Sequence, residues 1–448
     1  MSISDATRST LSPREAAKLV LARLRERGFE AYFAGGCVRD ELLGLHPADY
    51  DIATSAKPQD VQRIFAGTHA VGAAFGVVLV PLPREARDGA SKGVIEVATF
   101  RADGEYTDKR RPDSVRFASA REDALRRDFT INALFLDPLT PGPNPLIDGV
   151  VIDFVNGQQD LDARVLRAVG DPDARLNEDH LRALRAARFA ARLGMEIDNA
   201  TASAIKRHAK ELAGVSRERI GEELRKMLLH PRRVSAVLLI EELGMGSVVI
   251  GAPATGLSGG LAAKKGEPSW PCMSVLPPRL WPGATVAAPL AAWLRDRAIL
   301  TSDDQRDCGA IVSRMKRDLC LSNDEVADLR GSLTMLSSLE AMGRGGWTAQ
   351  TVAARKRLLV HRGVVAAVLM LRSINPDLAD LVAEDMRKLA TDGIGLAPPP
   401  RLSGDLLIAQ GMVPGPDFKR VLDDAYDRQL ATSEICSDPS LAPLPRIQ

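Results

Sequence analysis

The distribution of β-like segments along the chain constrains its fold more than any other feature. Short runs of β-forming residues lie at 31–34, 50–53, 77–80 and 94–100, with helix-like stretches between them. From about residue 160 strand signals almost disappear, and an Ala-, Leu- and Arg-rich helical periodicity replaces them. The chain is therefore predicted to be α+β, with a mixed amino-terminal domain and a helical remainder.

Glycine and proline mark two breaks in the helical part. Residues 251–289 contain six glycines and seven prolines, which predicts a linker or a long surface loop. A second break, at 398–400 and 411–416, precedes a last helix expected near 418–430. Together with the mixed domain, these breaks predict four segments, at 1–155, 156–250, 251–289 and 290–448.

Composition is typical of a soluble globular protein, because 45% of the 448 residues are hydrophobic and 26% are charged. No apolar run approaches the roughly 18 residues of a membrane span, and the start lacks the pattern of a signal peptide. Five scattered cysteines argue against a disulfide framework and a cysteine-based zinc site, so we expect a cytoplasmic protein with no membrane partner. Since the formal net charge is only +1, any nucleic-acid surface must be local.

A glycine pair followed by two aspartates is the first candidate site. Gly35 and Gly36 follow a short apolar strand and open a helix, so the backbone can approach a phosphate closely, and Arg39 adds a donor fork. Asp49 and Asp51 are at positions i and i+2 of a predicted strand, which puts both carboxylates on one face. Such a pair requires cations, and its hard oxygen ligands suit Mg²⁺ bound together with substrate phosphates.

Glu96 is a charged residue in the otherwise apolar run 94–100. It is a candidate third carboxylate, and a surface position on an edge strand is the alternative. Metals held by these carboxylates would support phosphoryl transfer, in which one metal activates the attacking hydroxyl and another holds the triphosphate. Positioning and charge neutralisation would then carry the reaction without a covalent nucleophile.

The segment RRDFTINAL begins with two adjacent arginines. Arg126 and Arg127 could clamp phosphates bidentately, with Asp128 orienting one of them. A solvated helix end is the alternative.

A second arginine-rich segment, 164–192, contains seven arginines. Its central pattern predicts a single helix that ends at Gly194 and carries, at regular spacing, Glu178, Asp179, Arg182, Arg185 and Arg188. Leucines lie among the arginines, which indicates that the helix is partly buried and that its charges need partners. An ion-pair ladder on a solvated face is the alternative.

Asp179 and Arg182 together have the chemistry to recognise a base. A carboxylate only accepts hydrogen bonds and a guanidinium only donates them. Asp179 would accept from the amino group of cytosine or adenine, while Arg182 donates to the neighbouring acceptor. Guanine and uracil present a carbonyl where that amino group would be, which leaves Asp179 unpaired at a cost of about 1–3 kcal/mol. The pair would therefore admit C and A and refuse G and U.

These motifs together resemble those of the class II tRNA nucleotidyltransferases, the CCA-adding enzymes and bacterial poly(A) polymerases. GGCVRD with DYDIATSA is similar to the first family motif, RRDFTINAL to the second, EDHLRALRAARF to the nucleotide-selecting helix, and VSRERIGEEL to the last head–neck motif. The resemblance covers about residues 30–230. It implies a DNA-polymerase-beta-like nucleotidyltransferase head over 1–155, a helical neck over 156–250, and a tRNA-binding helical body and tail over 290–448.

By position, the resemblance implies roles for individual residues. Asp49 and Asp51 would bind Mg²⁺, Gly36, Arg39 and Arg127 would contact the nucleotide, Asp179 and Arg182 would recognise the base, and Arg185 and Arg188 would support the triphosphate and the helix. The stretch 101–117 is similar to the family's flexible loop, which helps switch specificity from C to A. Residues 72–76 lack the two basic residues that follow a glycine in the family's poly(A) polymerases, which favours the CCA-adding branch.

The expected function is metal-dependent, template-independent addition of CCA to tRNA 3′ ends, with CTP and ATP as substrates and pyrophosphate as product. Glu96 would aid activation of the attacking hydroxyl, and DNA is not an expected partner. An A-adding enzyme or poly(A) polymerase of the same family is one alternative. A non-catalytic RNA- or nucleotide-binding protein is another, against which the intact pair of Asp49 and Asp51 argues.

Overall fold

The computed structural model describes residues 11–70, 76–82, 93–103, 115–144, 147–251, 271–297 and 308–432. The chain divides into two units. The first unit runs to residue 216 and includes residues 239–245, and the second comprises residues 217–238 and the chain from residue 246 onward. Each unit is described below by itself.

The described part of the first unit contains every strand that the structure describes. These strands are β1 (Ala31–Ala34), β2 (Ile52–Thr54), β3 (His69–Ala70), β4 (Val77–Pro81), β5 (Val94–Thr99), β6 (Arg101–Asp103), β7 (Val115–Phe117), β8 (Phe135–Asp137), β9 (Val150–Ile152), β10 (Val165–Leu166) and β11 (Glu196–Ile197). Seven of them form one sheet in the order β3-β4-β5-β2-β1-β8-β9. Within that sheet β2 and β5 run parallel, and the other neighbours are antiparallel.

The described part of the first unit also contains eight α-helices and two 3-10 turns, Thr130–Asn132 and Ala209–Gly214. The end of a later helix, within residues 239–245, belongs to this unit as well. The helices are α1 (Pro13–Glu26), α2 (Gly36–Leu42), α3 (Pro58–Ile64), α4 (Ala120–Leu125), α5 (Gly157–Asp162), α6 (Pro172–Glu178), α7 (Leu181–Leu193) and α8 (Asn199–His208). The mixed sheet with its helices confirms the predicted α+β class of the amino-terminal part.

The large sheet has two buried faces with different side chains. On one face Phe33, Ile52 and Val97 pack with residues of α1 into a core cluster. On the other face smaller residues such as Ala34 and Ala53 pack together. Successive residues of a strand point to opposite faces, so the central strands β1, β2 and β8 supply both clusters. Side chains of an extended segment leading into β2 at Ile52 would likewise alternate between the two faces.

The described part of the second unit is helical. Its helices are α9 (Arg217–Leu228), α10 (Arg233–Glu242), α11 (Gly246–Ile250), α12 (Pro271–Ser274), α13 (Ala287–Asp296), α14 (Gly309–Leu319), α15 (Asn323–Ala349), α16 (Val352–Leu359), α17 (Val364–Leu371), α18 (Pro376–Thr391), α19 (Gly404–Ala409) and α20 (Pro416–Ala431). The division between the units runs through α10. No described residue of this unit lies in a strand, in agreement with the loss of strand signals along the sequence. None of the described helices is both long and apolar enough to cross a membrane.

The stretch 251–289, expected to be a linker or surface loop, is partly packed. Residues 252–270 lie outside the described part of the chain. Farther on, Cys272 and Met273 of α12 are buried. The buried Arg233 guanidinium donates to the carbonyl oxygens of Pro277 and Pro278, each at 2.8 Å. Apolar burial and these hydrogen bonds hold residues 271–278 in the second unit, so the surface-loop expectation is wrong for them.

Candidate active site

The glycine pair forms the turn between β1 and α2. Gly35 has φ +74° and Gly36 is the first residue of α2. A Cβ atom on Gly35 would lie 2.8 Å from Nη1 of Arg127, which shows how closely that guanidinium approaches the turn. The same Nη1 donates to the carbonyl oxygen of Asn132 at 3.1 Å. The first and second arginine-bearing motifs therefore meet at this turn.

Asp49 and Asp51 immediately precede β2, which begins two residues later than predicted. Tyr50 between them is buried, and its ring packs on Phe33 with the ring centroids 5.1 Å apart. Its hydroxyl donates to Oε1 of Glu41 at 2.6 Å. Both aspartates are exposed. Anchoring Tyr50 on one face directs its two neighbours to the other, so the predicted common face for the carboxylates is consistent with the structure.

Glu96 lies on β5, the parallel neighbour of β2. The pairing of Ile52 with Val97 aligns Asp51 with Glu96, and both acidic residues are exposed while their paired neighbours are buried. The register therefore brings Glu96 next to Asp51 on one face of the sheet. Within the described residues no three His, Cys, Asp or Glu side chains are grouped so as to hold a metal ion. The role of Glu96 as a third carboxylate stays a prediction.

The two adjacent arginines of the second motif share a partner that the sequence analysis missed. Arg126 and Arg127 both pair with the buried Asp123, at 2.6 and 3.0 Å. Burial acts to raise the pKa of Asp123, but the two guanidinium groups outweigh it and hold the pKa below its ordinary value. The signal was available, because Asp123 precedes the arginines by three and four residues at the end of α4.

Asp128 does not orient either neighbouring arginine, contrary to expectation. It is buried, and Arg185 of α7 donates to its Oδ2 through Nε at 2.8 Å and Nη2 at 2.6 Å. Asn132 donates to its other oxygen at 3.1 Å. Burial acts to raise the pKa of Asp128, but the charge and hydrogen bonds of Arg185 outweigh it and lower the pKa. Asp128 thus connects the second motif to α7.

The single helix predicted from Glu178 to Gly194 is wrong at its start. Helix α6 ends at Glu178, Asp179 is extended with φ −154°, and α7 begins at Leu181. Oδ1 of Asp179 accepts a hydrogen bond from the backbone N–H of Leu181 at 3.1 Å. Aspartate favours such capping positions over helix interiors, because its carboxylate satisfies N–H groups at a helix start. The predicted end at Gly194, with φ +67°, is confirmed.

Arg182 lies in the first turn of α7 beside Asp179. Its Nη1 donates to Oε2 of Glu178 at 2.5 Å and to the carbonyl oxygen of Arg175 at 2.9 Å. Nη2 donates to the carbonyl oxygen of Arg126 at 3.3 Å. Glu178 and these carbonyl groups therefore hold the guanidinium beside the second motif.

Arg39 is more enclosed than the other predicted nucleotide-contacting arginines, with only 3% of its surface exposed. It donates to Oδ1 of Asp40 through Nε at 2.8 Å and Nη2 at 2.6 Å, and Nη1 donates to the side chain of Asn132. Burial lowers the pKa of Arg39, against the opposing effect of Asp40. Its guanidinium lies 5.1 Å from the ring centre of Phe189, which also contacts the guanidinium of Arg188 at 4.1 Å.

Two regions used in the sequence analysis are only partly described. The ends of the predicted flexible loop, β6 and β7, pair with each other as antiparallel strands. Residues 104–114 between them lie outside the described part of the chain, as do residues 72–75 of the segment 72–76. The predictions made for these residues stay predictions.

A mixed sheet with a glycine turn, exposed carboxylates and a following helix whose arginines bond to the second motif is typical of a nucleotidyltransferase head. Comparison with protein families agrees: residues 31–167 match the poly A polymerase head domain. Residues 194–254 match the family described as a probable RNA and SrmB-binding site of polymerase A. The amino-terminal half of the chain is thus similar to the head and RNA-binding segments of poly A polymerases.

Two similar relatives are CCA-adding enzymes of bacteria. That of Limosilactobacillus fermentum is 45% identical over 217 residues, which cover 48% of this chain and 50% of the relative. That of Geobacillus thermodenitrificans is 42% identical over 240 residues, covering 53% and 55%. The similarity thus spans about half the length of the curated relatives.

Solved structures match over more of the chain. The Bacillus stearothermophilus CCA-adding enzyme in complex with CTP matches with a TM-score of 0.63 and 27% identity, covering 96% of this chain and 95% of that one. The Thermotoga maritima CCA-adding enzyme complexed with tRNA has a TM-score of 0.65 at 19% identity, covering 96% and 95%, a likeness of fold alone. The predicted fold class is therefore confirmed along most of the chain.

Proposed function

We propose that this protein adds CCA to tRNA 3′ ends without a template, from CTP and ATP, with release of pyrophosphate. The observation that carries the proposal is the exposed pair of Asp49 and Asp51 that follows the Gly35–Gly36 turn, against which the guanidinium of Arg127 lies. Carboxylates next to a phosphate-binding turn are what in-line transfer of a nucleotidyl group requires. The family's CCA-adding members support the choice of product.

The carboxylates of Asp49 and Asp51 fit a divalent cation, since both are exposed hard oxygen donors on one side of an anchored Tyr50. We propose Mg²⁺ as that cation. When bound, it would neutralise the triphosphate and lower the pKa of the tRNA 3′-hydroxyl. Glu96, aligned with Asp51 by the strand register, would aid removal of the hydroxyl proton.

The arginines would bind the remaining charge of the nucleotide. Gly36 begins a helix, so its backbone can approach the triphosphate, and Arg127 lies against the same turn. Arg185 and Arg188 would support the triphosphate from α7. Arg39 of α2, whose guanidinium donates to Asp40 and Asn132, would contribute positive charge near the bound nucleotide.

Asp179 and Arg182 would recognise the base. The break between α6 and α7 leaves Asp179 outside regular helix, where its carboxylate can accept from an amino group of cytosine or adenine. Glu178 and two carbonyl groups orient Arg182 to donate to the adjacent ring acceptor. Orientation before binding is favourable because it reduces the entropy lost when the base is bound.

We propose further that the helical second unit binds the tRNA and that the protein works in the cytoplasm. The cysteines Cys37, Cys272, Cys308 and Cys320 are all unpaired in the structure, which is compatible with a reducing compartment. The low aromatic content of 4% favours recognition of a folded RNA by shape over stacking on exposed bases. The predicted boundaries of head, neck, linker and body remain part of this proposal.

The first experiment identifies the product. The full chain is incubated with Mg²⁺ and a tRNA that lacks its terminal CCA, with CTP alone, ATP alone and both together. We expect two C residues from CTP alone and complete CCA from the mixture. Incorporation of A but never of C would favour an A-adding enzyme or poly(A) polymerase, and no incorporation would favour a non-catalytic binding protein.

The second experiment tests the metal site. The double variant Asp49→Ala, Asp51→Ala should lose roughly 10³-fold or more in kcat, because charge neutralisation at the transferred phosphate disappears. The matched control is Glu26→Ala with Glu30→Ala, which removes two exposed acids of the same unit and should leave kcat unchanged. Equal turnover in the two double variants would refute the assignment.

A further inference from the structure

Two of the ion pairs that attach α7 to the rest of the first unit lie beyond its first turn. Near one end of the helix Arg185 pairs with Asp128 at 2.6 Å. Two turns later, Nη2 of Arg192 donates to Oδ2 of Asp40 in α2 at 3.1 Å. The two arginines are seven residues apart, which separates them by about 10 Å along the axis and returns them to nearly the same side of the helix.

Hydrogen bonds join these two ion pairs into a chain of contacts whose two ends both lie on α7, so the backbone of that helix closes the circuit. Asp40 accepts Arg192 on one oxygen and Arg39 on the other. Arg39 donates to the side-chain oxygen of Asn132, whose amide nitrogen donates to Asp128 at 3.1 Å. We name the circuit the polar ring, and its members in order are Arg192, Asp40, Arg39, Asn132, Asp128 and Arg185.

Phe189 lies between the two helical members of the polar ring. Its ring centre is 5.1 Å from the guanidinium of Arg39 and 5.3 Å from that of Arg185. The aromatic face thus packs against cations from α2 and from α7, an attraction that adds to the hydrogen bonds. The buried apolar face of α7 places the helix in the core, and the two ion pairs with the aromatic contact between them add a polar constraint on its rotation.

We propose that the polar ring is a specificity-determining device that sets the rotation of α7, and with it Arg182, relative to the glycine turn. The inference rests on the proposed function, in which the turn holds the triphosphate and Arg182 recognises the base. Discrimination between C and U depends on placing a donor within a fraction of an ångström, so a small rotation of α7 would weaken it. Arg192 is then a positioning residue and makes no contact with the nucleotide.

Arg192 is the ring member best suited to a test. Its side chain is 40% exposed, so its replacement leaves no fully buried charge behind except on Asp40, which keeps Arg39. It is ten residues from Arg182, or about 15 Å along the helix. A change of base preference caused by Arg192 must therefore be transmitted through the position of α7.

The experiment compares Arg192→Gln and Arg192→Lys with the matched control Arg25→Gln. Arg25 pairs with Asp137 at 2.9 Å, with side chains 31% and 12% exposed, values close to those of the Arg192–Asp40 pair. Each variant is assayed for single-nucleotide addition to tRNA lacking CCA, with CTP and with UTP, and kcat and KM are recorded separately. We expect Arg192→Gln to lower the preference for CTP, as a ratio of kcat/KM values, by about 2- to 30-fold.

Arg192→Lys retains the charge and should restore most of the preference, and Arg25→Gln should keep that of the wild type. An unchanged preference in Arg192→Gln, or an equal loss in Arg25→Gln, would overturn the proposal. If Arg192→Gln does not fold, Arg192→Met carries the test in its place, and an unchanged preference for CTP in that variant would overturn the proposal. Failure of the wild type to add C to tRNA would refute the proposed function instead.

Discussion

Asp128 and Arg185, 57 residues apart in the sequence, form a two-point contact in which Nε and Nη2 of Arg185 both donate to one oxygen of Asp128. The contact joins the RRDFTINAL segment to the amino-terminal half of α7. A buried carboxylate is stable only with such partners, since the charged form would otherwise lose its hydration without compensation. The pair therefore holds two motifs together as well as contributing charge to the candidate site.

Replacing Asp128 with asparagine should lower the free energy of unfolding by about 2 kcal/mol near neutral pH, since Arg185 keeps partial access to water. The pKa of Asp128 is lower in the folded state than its ordinary value of 3.8. The stabilisation from the charged pair is therefore present above pH 3.8 and is lost as the pH falls through the folded-state pKa. Urea unfolding of both proteins, from about pH 7 to about pH 3, measures the difference between their free energies of unfolding.

The informative quantity is the difference between wild type and Asp128→Asn, because acid weakens other pairs equally in both proteins. That difference should shrink as the solution is acidified below pH 3.8. Asp148→Asn is the control, as Asp148 pairs with Lys18 on the surface and should give a small difference at every pH. A constant gap down to the lowest pH would contradict the assignment of a charged, buried Asp128.

Gly35→Ala should impair both stability and activity. Gly35 has φ +74°, a conformation that costs an alanine roughly 1 kcal/mol, and the new Cβ would lie 2.8 Å from Nη1 of Arg127. The control is Gly28→Ala, with φ +84° and nothing within 4 Å of the new atom. Both variants place an alanine at positive φ, but Gly35 has ψ −120°, outside the left-handed helical region, so the additional loss in Gly35→Ala combines the displacement of Arg127 with further backbone strain. Equal unfolding free energies and equal activities would show that Arg127 does not depend on the turn.

Local patterns predicted the elements of the head but not all of their partners. Alternating and apolar runs predicted three strands closely, because burial on a sheet face requires that pattern. The common direction of Asp49 and Asp51 stays a prediction, since both precede β2 and the two-residue period of a strand was assumed for them. Strands β8 and β9 were missed, and they are short segments of three residues each.

Pairings between distant segments could not be predicted. Asp128 was expected to orient an adjacent arginine, yet Asp123 does so, and Asp128 pairs with Arg185. Charge spacing alone could not distinguish a continuous helix from the break at Asp179, because both present arginines at three-residue intervals. The sequence analysis gave Asp40 no role, although this buried acid pairs with both Arg39 and Arg192 in the polar ring. Such partners are chosen by the tertiary fold, which brings together residues that have no local relation.

Asp179→Ala should relax base choice more than it slows the chemical step, because only the recognition of the amino group is removed. The expected result is a fall in the preference for CTP over UTP by roughly 10-fold or more, the effect of one lost hydrogen-bonding partner to a base. The variant also loses the hydrogen bond to the backbone N–H of Leu181, at a cost of about 1 kcal/mol. Asp171→Ala is the matched control, since Asp171 caps the start of α6 through the N–H groups of Asp173 and Ala174. Wild-type discrimination against UTP in Asp179→Ala, measured as the ratio of kcat/KM values, would contradict base recognition by this carboxylate.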